Sequence, residues 1–226
     1  MFVGHFAVAF AGKRIEPKLS LGTLVMASML PDLLWPIFSI AGIEYTADKP
    51  AVTENNLFDV PISHSLLIVA VWAALFAGGY LLLRHYPRGA LVLFAAVLSH
   101  WLLDSISHKH ALAPGVHIYL GLELWNSIPA TIIVEGGFWL LALILYVRAT
   151  QAKSRAGIYA FWPVVAFITL AWIANIRKGP PPPKAVIGSL IFFLLLIAWA
   201  YWMNRVRPVK IDSADAKVLG SATAGR

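Results

Sequence analysis

Six apolar blocks dominate the chain, at residues 19–42, 65–83, 90–103, 128–147, 157–176 and 185–203, and they constrain the fold more than any other feature. A bilayer core takes about 20 residues of helix at about 1.5 Å rise each. Block 90–103 falls short, so its helix is expected to continue through Asp104 toward Ser107. A water-soluble globule has no use for so much uncharged sequence. Hydrophobic residues make up 59% of the chain and charged ones 13%, against about a quarter charged in ordinary soluble domains. The expected fold is an all-α polytopic membrane protein of about six transmembrane helices. Residues 1–11 are apolar except for His5, too short to cross, and follow no basic stretch. They read as a retained half-spanning helix, not a cleaved signal peptide. Residues 1–204 form one integral membrane domain, and 205–226 read as a mobile cytoplasmic tail without apolar period.

Orientation follows from the basic residues between blocks. If Lys13, Arg14 and Lys18 are cytoplasmic, 13 of the 18 Lys and Arg residues fall on that side and 5 on the other, which favours a cytoplasmic C-terminus. The opposite side receives an acidic stretch at 44–59 and the Gly179–Pro183 run, expected to be a stiff extended connector. The net charge of +7 is therefore topological, and nucleic acid is not an expected partner. With no cysteine, any metal must be held by nitrogen and oxygen.

Ionisable groups inside a membrane cost about 2.5 kcal/mol or more each on insertion scales, so each asks for a partner or a role. Asp32, Glu135 and His100 lie on three different blocks at depths of ~12, ~10 and ~8 Å from the non-cytoplasmic ends. Asp104 and His64 sit at the mouth of the same region, and the half-span can bring His5 toward it. Pro31 disfavours helix at Leu30, so a backbone break is expected just before Asp32. His100 and Asp104 form H-x-x-x-D, a one-turn spacing that lets an imidazole and a carboxylate reach one cation. His108 extends that stripe if the helix persists. Ordinary roles exist for each residue taken singly. His5 fits an interfacial histidine, His108, His110 and His117 fit a wet loop, and Glu135 beside Gly136-Gly137 fits a buried acid at a tight helix contact. Of the tryptophans, Trp35, Trp101 and Trp125 lie nearest the expected pocket.

On Gly4-His5, Met29-Leu30-Pro31-Asp32, Ser63-His64-Ser65-Leu66 and Ser99-His100-Trp101-Leu102-Leu103-Asp104, the sequence resembles the family of bacterial and archaeal membrane-bound metal-dependent hydrolases, the LexA-binding inner-membrane-associated hydrolases. The resemblance covers about the first half of the chain. It implies His5, Asp32, His64, His100 and Asp104 as metal ligands. Where the family often has an H-R-G-x-T-H-S segment, this chain has Asp59-Val60-Pro61-Ile62-Ser63-His64-Ser65, with Asp59 in place of the first histidine. The order of these residues is also distantly similar to all-helical zinc-dependent phospholipases C.

The expected activity is hydrolysis of a lipid or amphiphilic ester or phosphoester in a prokaryotic inner membrane. The cofactor would be a divalent metal, zinc first and manganese second, with Glu135 or Asp59 taking the proton from water or completing the coordination. Alternatives are a proton-coupled transporter using the buried acids and histidines as a relay, a haem or quinone protein using His64 and His100, and a non-catalytic membrane protein.

Overall fold

The computed structural model describes residues 1–44, 60–178 and 186–210. Nine α-helices occur among them: α1 (Phe2–Ile15), α2 (Leu21–Ser28), α3 (Leu30–Ile40), α4 (Pro61–His64), α5 (Leu66–Arg84), α6 (Pro87–Ser107), α7 (Ile128–Ala149), α8 (Arg155–Lys178) and α9 (Val186–Val206). Helices α5 to α9 are each long and apolar enough to cross a membrane, and α2 with α3, bent by 60°, makes a sixth candidate. The protein is an all-α polytopic membrane protein. Its outer faces fit lipid and not water: Leu83 is 82% exposed, and Leu82, Leu91 and Ile133 also point outward.

Apart from His5 and the basic last turn, helix α1 is apolar on every side and lies inside the bundle, along α7 and against α2, α6 and α8. Phe6 and Phe10 are buried, and the Phe10 ring meets Trp139 and Tyr146 edge-on with centroids 5.4 and 4.8 Å away. These aromatic contacts set the register of α1 and thereby the height of His5.

Ser20 caps α2 by accepting from the Thr23 N–H at 3.0 Å. The break that Pro31 leads one to expect falls at Met29, two residues before it, and Pro31 lies in the first turn of α3, where a missing N–H costs nothing. The helical ladder runs from Met29 donating to Val25 to Leu33 donating to Met29, and the Ser28 carbonyl is left out of it. Helix α6 extends to Ser107 as expected. Block 65–83 does not begin its helix directly after His64. That residue ends the short α4, and the chain turns extended at Ser65 before α5 begins.

Beyond α6 a small antiparallel hairpin pairs β1 (His110–Ala111) with β2 (Tyr119–Leu120). Most of the acidic stretch, the polyproline connector and the tail after Lys210 lie outside the described residues. The start of the expected tail is packed: Arg207 is buried, Pro208 accepts from the Gln151 N–H, and the Lys210 N–H donates to Ala149.

Candidate metal centre

The centre is built by the least regular parts of the bundle, which are the breaks at Met29 and Ser65, the C-terminal end of α6 and the hairpin. Two buried groups orient its histidines. His100, on α6, is fully buried and its Nδ1 lies 2.8 Å from the Ser28 carbonyl oxygen. A carbonyl only accepts, so Nδ1 carries the proton and Nε2 of the neutral ring is a lone pair. That Nε2 has no hydrogen-bond partner, although it lies 3.2 Å from Asp104 Oδ2 and 3.8 Å from Asp32 Oδ1. A lone pair facing two carboxylates in a buried site calls for a cation or a proton between them. Ser63 supplies the second orienting group. Its hydroxyl donates to the Val60 carbonyl at 3.4 Å and accepts from His64 Nδ1 at 2.7 Å, which leaves the His64 Nε2 lone pair 3.4 Å from Asp32 Oδ1.

His5 completes the set from α1. Its Nε2 lies 3.0 Å from Asp104 Oδ1, and its ring stacks on His100 with centroids 3.7 Å apart and planes 6° from parallel. The Met1 α-amino group donates to Asp104 Oδ1 and lies 3.4 Å from His5 Nε2. Two triads result, His5–His100–Asp104 and Asp32–His64–His100, each with donor atoms within 4.8 Å of one another. Bonds of about 2.0–2.2 Å at tetrahedral angles put neighbouring donors about 3.3–3.6 Å apart, close to the separations found here. The donor set of neutral imidazole and carboxylate suits zinc or manganese. Asp32 has its side chain 28% exposed, which gives the otherwise enclosed centre an opening.

All five residues that the resemblance implies as ligands are thus brought together. Glu135 is not among these groups. It is fully buried on α7, where Oε1 accepts from Trp125 Nε1 at 2.7 Å, and the Trp125 indole stacks on His108 at 4.5 Å. It reaches the centre through that indole. Asp59 lies outside the described residues.

His108 and His110 do not belong to a wet loop, and His108 does not continue the helical stripe. Helix α6 ends at Ser107 and His108 is extended, with φ −155° and ψ 175°. Residues two apart on extended backbone share a face. Both rings therefore turn inward, while Lys109 between them turns outward to pair with Glu123 at 3.1 Å. His108 and His110 are 5% and 1% exposed, and with Asp104 they form a third triad. Burial holds the His110 imidazolium down to about 3, Asp104 opposing, and burial with the charge of His110 lowers His108 well below the ordinary histidine value. Both rings are neutral at physiological pH, the form that binds metal. Gly121 lies so close to the His108 carbonyl that a Cβ would overlap it, and the Leu122 N–H donates to Ser105 at 2.7 Å, which docks the hairpin on α6.

Sequence reasoning passes over two further groups. The Ser28 carbonyl acts only because the helix breaks beside it. Glu44, 3% exposed, has Oε1 accepting from the Ile62 and Ser63 N–H groups at 2.7 and 2.9 Å, which pins the N-terminus of α4 and so the place of His64. No family model matches the chain, and no curated protein or solved structure matches it either.

Proposed function

We propose that the protein is a membrane-embedded, divalent-metal-dependent hydrolase acting on a lipid or amphiphilic ester or phosphoester. The observation that carries this reading is the buried His100 Nε2, without a hydrogen-bond partner, its ring held by Ser28 and the atom directed at two carboxylates. His5, Asp32, His64, His100 and Asp104 would hold the ion, zinc in preference to manganese. When bound, such an ion polarises the scissile oxygen and generates a nucleophile from water near neutral pH. The chain's own residues do the rest. Ser28 and Ser63 hold two rings in the ligating tautomer. The apolar walls exclude bulk water, and the exposed edge of Asp32 is where a headgroup linkage enters. Glu135 acts through Trp125, holding the indole against His108, and Asp59 is the sequence's candidate for taking the proton. The motif resemblance supports the same reaction class. The bias of basic residues supports a prokaryotic inner membrane with the C-terminus in the cytoplasm.

Elemental analysis of purified protein beside a His100→Ala variant tests the reading. Wild type should retain metal through gel filtration and His100→Ala should lose it; equal metal in both, or proton flux in liposomes that survives strict chelation, counts against a hydrolase and for a carrier.

A further inference from the structure

Three triads do not mean three ions. A neutral imidazole has one lone pair on Nε2 and can ligate one cation with it. His100 Nε2 belongs to both the His5–His100–Asp104 and the Asp32–His64–His100 groups, so these two triads describe a single position. The third triad shares no nitrogen with them. It shares only Asp104, and a carboxylate has two oxygens with which to serve two ions.

We propose that Asp104, His108 and His110 hold a second divalent cation, with Asp104 bridging it to the first. Asp104 faces both positions: Oδ1 lies 3.0 Å from His5 Nε2, while Oδ2 stands between the two groups, 3.2 Å from His100 Nε2 and 3.6 Å from His110 Nε2. His108 and His110 direct their Nε2 atoms at one another, 2.7 Å apart, so in the neutral pair one Nε2 donates its proton to the other. An ion takes the place of that proton, which passes to Nδ1 as the donor ring changes tautomer, and opens the pair to about 3.3 Å, the separation that zinc–nitrogen bonds require. Both rings are held for this from behind, by Trp125 stacked on His108 and by the β1–β2 pairing and Gly121 contact that fix the hairpin. Across the centre, the His64 ring lies nearly parallel to that of His110, 5.8 Å away, so the two positions are contiguous. Two ions about 3.5–4 Å apart form a clamp on the attacking and leaving oxygens of a displacement. The inference rests on the first position being a metal site and adds a second ion to it.

The test is metal stoichiometry of the full-length chain, loaded with zinc, passed through gel filtration and measured by mass spectrometry against protein concentration. Two equivalents are expected in the wild type, one in His108→Ala/His110→Ala, and none in Asp104→Asn. One equivalent in the wild type, kept when both histidines are removed, overturns the second position and spares the first. No metal in the wild type overturns both. Should the double variant fail to fold, His110→Gln and manganese loading supply the answer. Two manganese ions within about 4 Å are exchange-coupled, whereas an uncoupled spectrum of isolated manganese from fully loaded wild-type protein overturns the bridged pair.

Discussion

Glu44→Ala removes a residue that touches no proposed ligand, yet it should weaken metal binding. Helix α4 has four residues, too few to hold itself together, since a first helical turn is costly to nucleate. What fixes it is the Glu44 carboxylate, which takes two of its backbone N–H groups at 2.7 and 2.9 Å. Alanine leaves both N–H groups without an acceptor, the Ile62 group half-buried and the Ser63 group buried, the latter at a cost of about 1–3 kcal/mol. The segment can relieve that cost only by shifting toward water, and His64 shifts with it. Loss of a group behind a ligand typically lowers metal affinity ten- to a hundredfold, about 1.4–2.7 kcal/mol, which lies within the range set by the one buried bond. Competition against a fluorescent zinc chelator at fixed pH measures it. Glu44→Gln keeps an amide oxygen in the same place and should lose less than tenfold. An alanine variant within twofold of wild type, beside a His64→Ala variant that loses more than tenfold, would falsify the role assigned to the α4 anchor.

Phe10→Ala should lower the thermal midpoint in detergent through a loss of about 3–5 kcal/mol, because the ring is buried between Trp139, Tyr146 and Phe161; a midpoint unchanged within error refutes the packing of α1 as the bundle's centre. Metal-free protein should lose stability as pH falls. The folded His110 titrates at about 3 because burial disfavours its charged form, whereas the unfolded ring titrates near 6.5, so the unfolded chain takes up the proton first. The stability is present above about pH 6.5 and drains away toward pH 3 at up to about 1.4 kcal/mol per pH unit per histidine. His110→Gln should flatten that slope, and thermal melts at several pH values on both chains check it.

The spans were legible because apolar length is a local property, and the H-x-x-x-D pair on α6 because helical spacing is local too. Asp32, His64 and His5 needed the resemblance to join them, since hydropathy gives depth in the bilayer and nothing about lateral position. Glu135 shows the limit of depth alone: it stands at the expected level, yet its carboxylate belongs to Trp125. His110 was hidden by a change of period. A helical repeat of 3.6 had reached His108, and the chain switches to the two-residue alternation of extended backbone at that residue. The Ser28 carbonyl and Glu44 could not be read at all, because one is exposed by a break and the other caps a helix 18 residues away.

The burial of α1 also bears on how the protein is made. This helix emerges from the ribosome long before α7, against which it packs most closely. At translation rates of about 5–20 residues per second, the wait until Ala149 is about seven to twenty-seven seconds. During that time a 14-residue segment too short to cross the bilayer has α2 and α6 to pack on but lacks its largest partner. Every proposed ligand precedes α7 in the chain, so a truncated product stopped before α7 would show whether α2 and α6 alone seat the His5 imidazole beside Asp104.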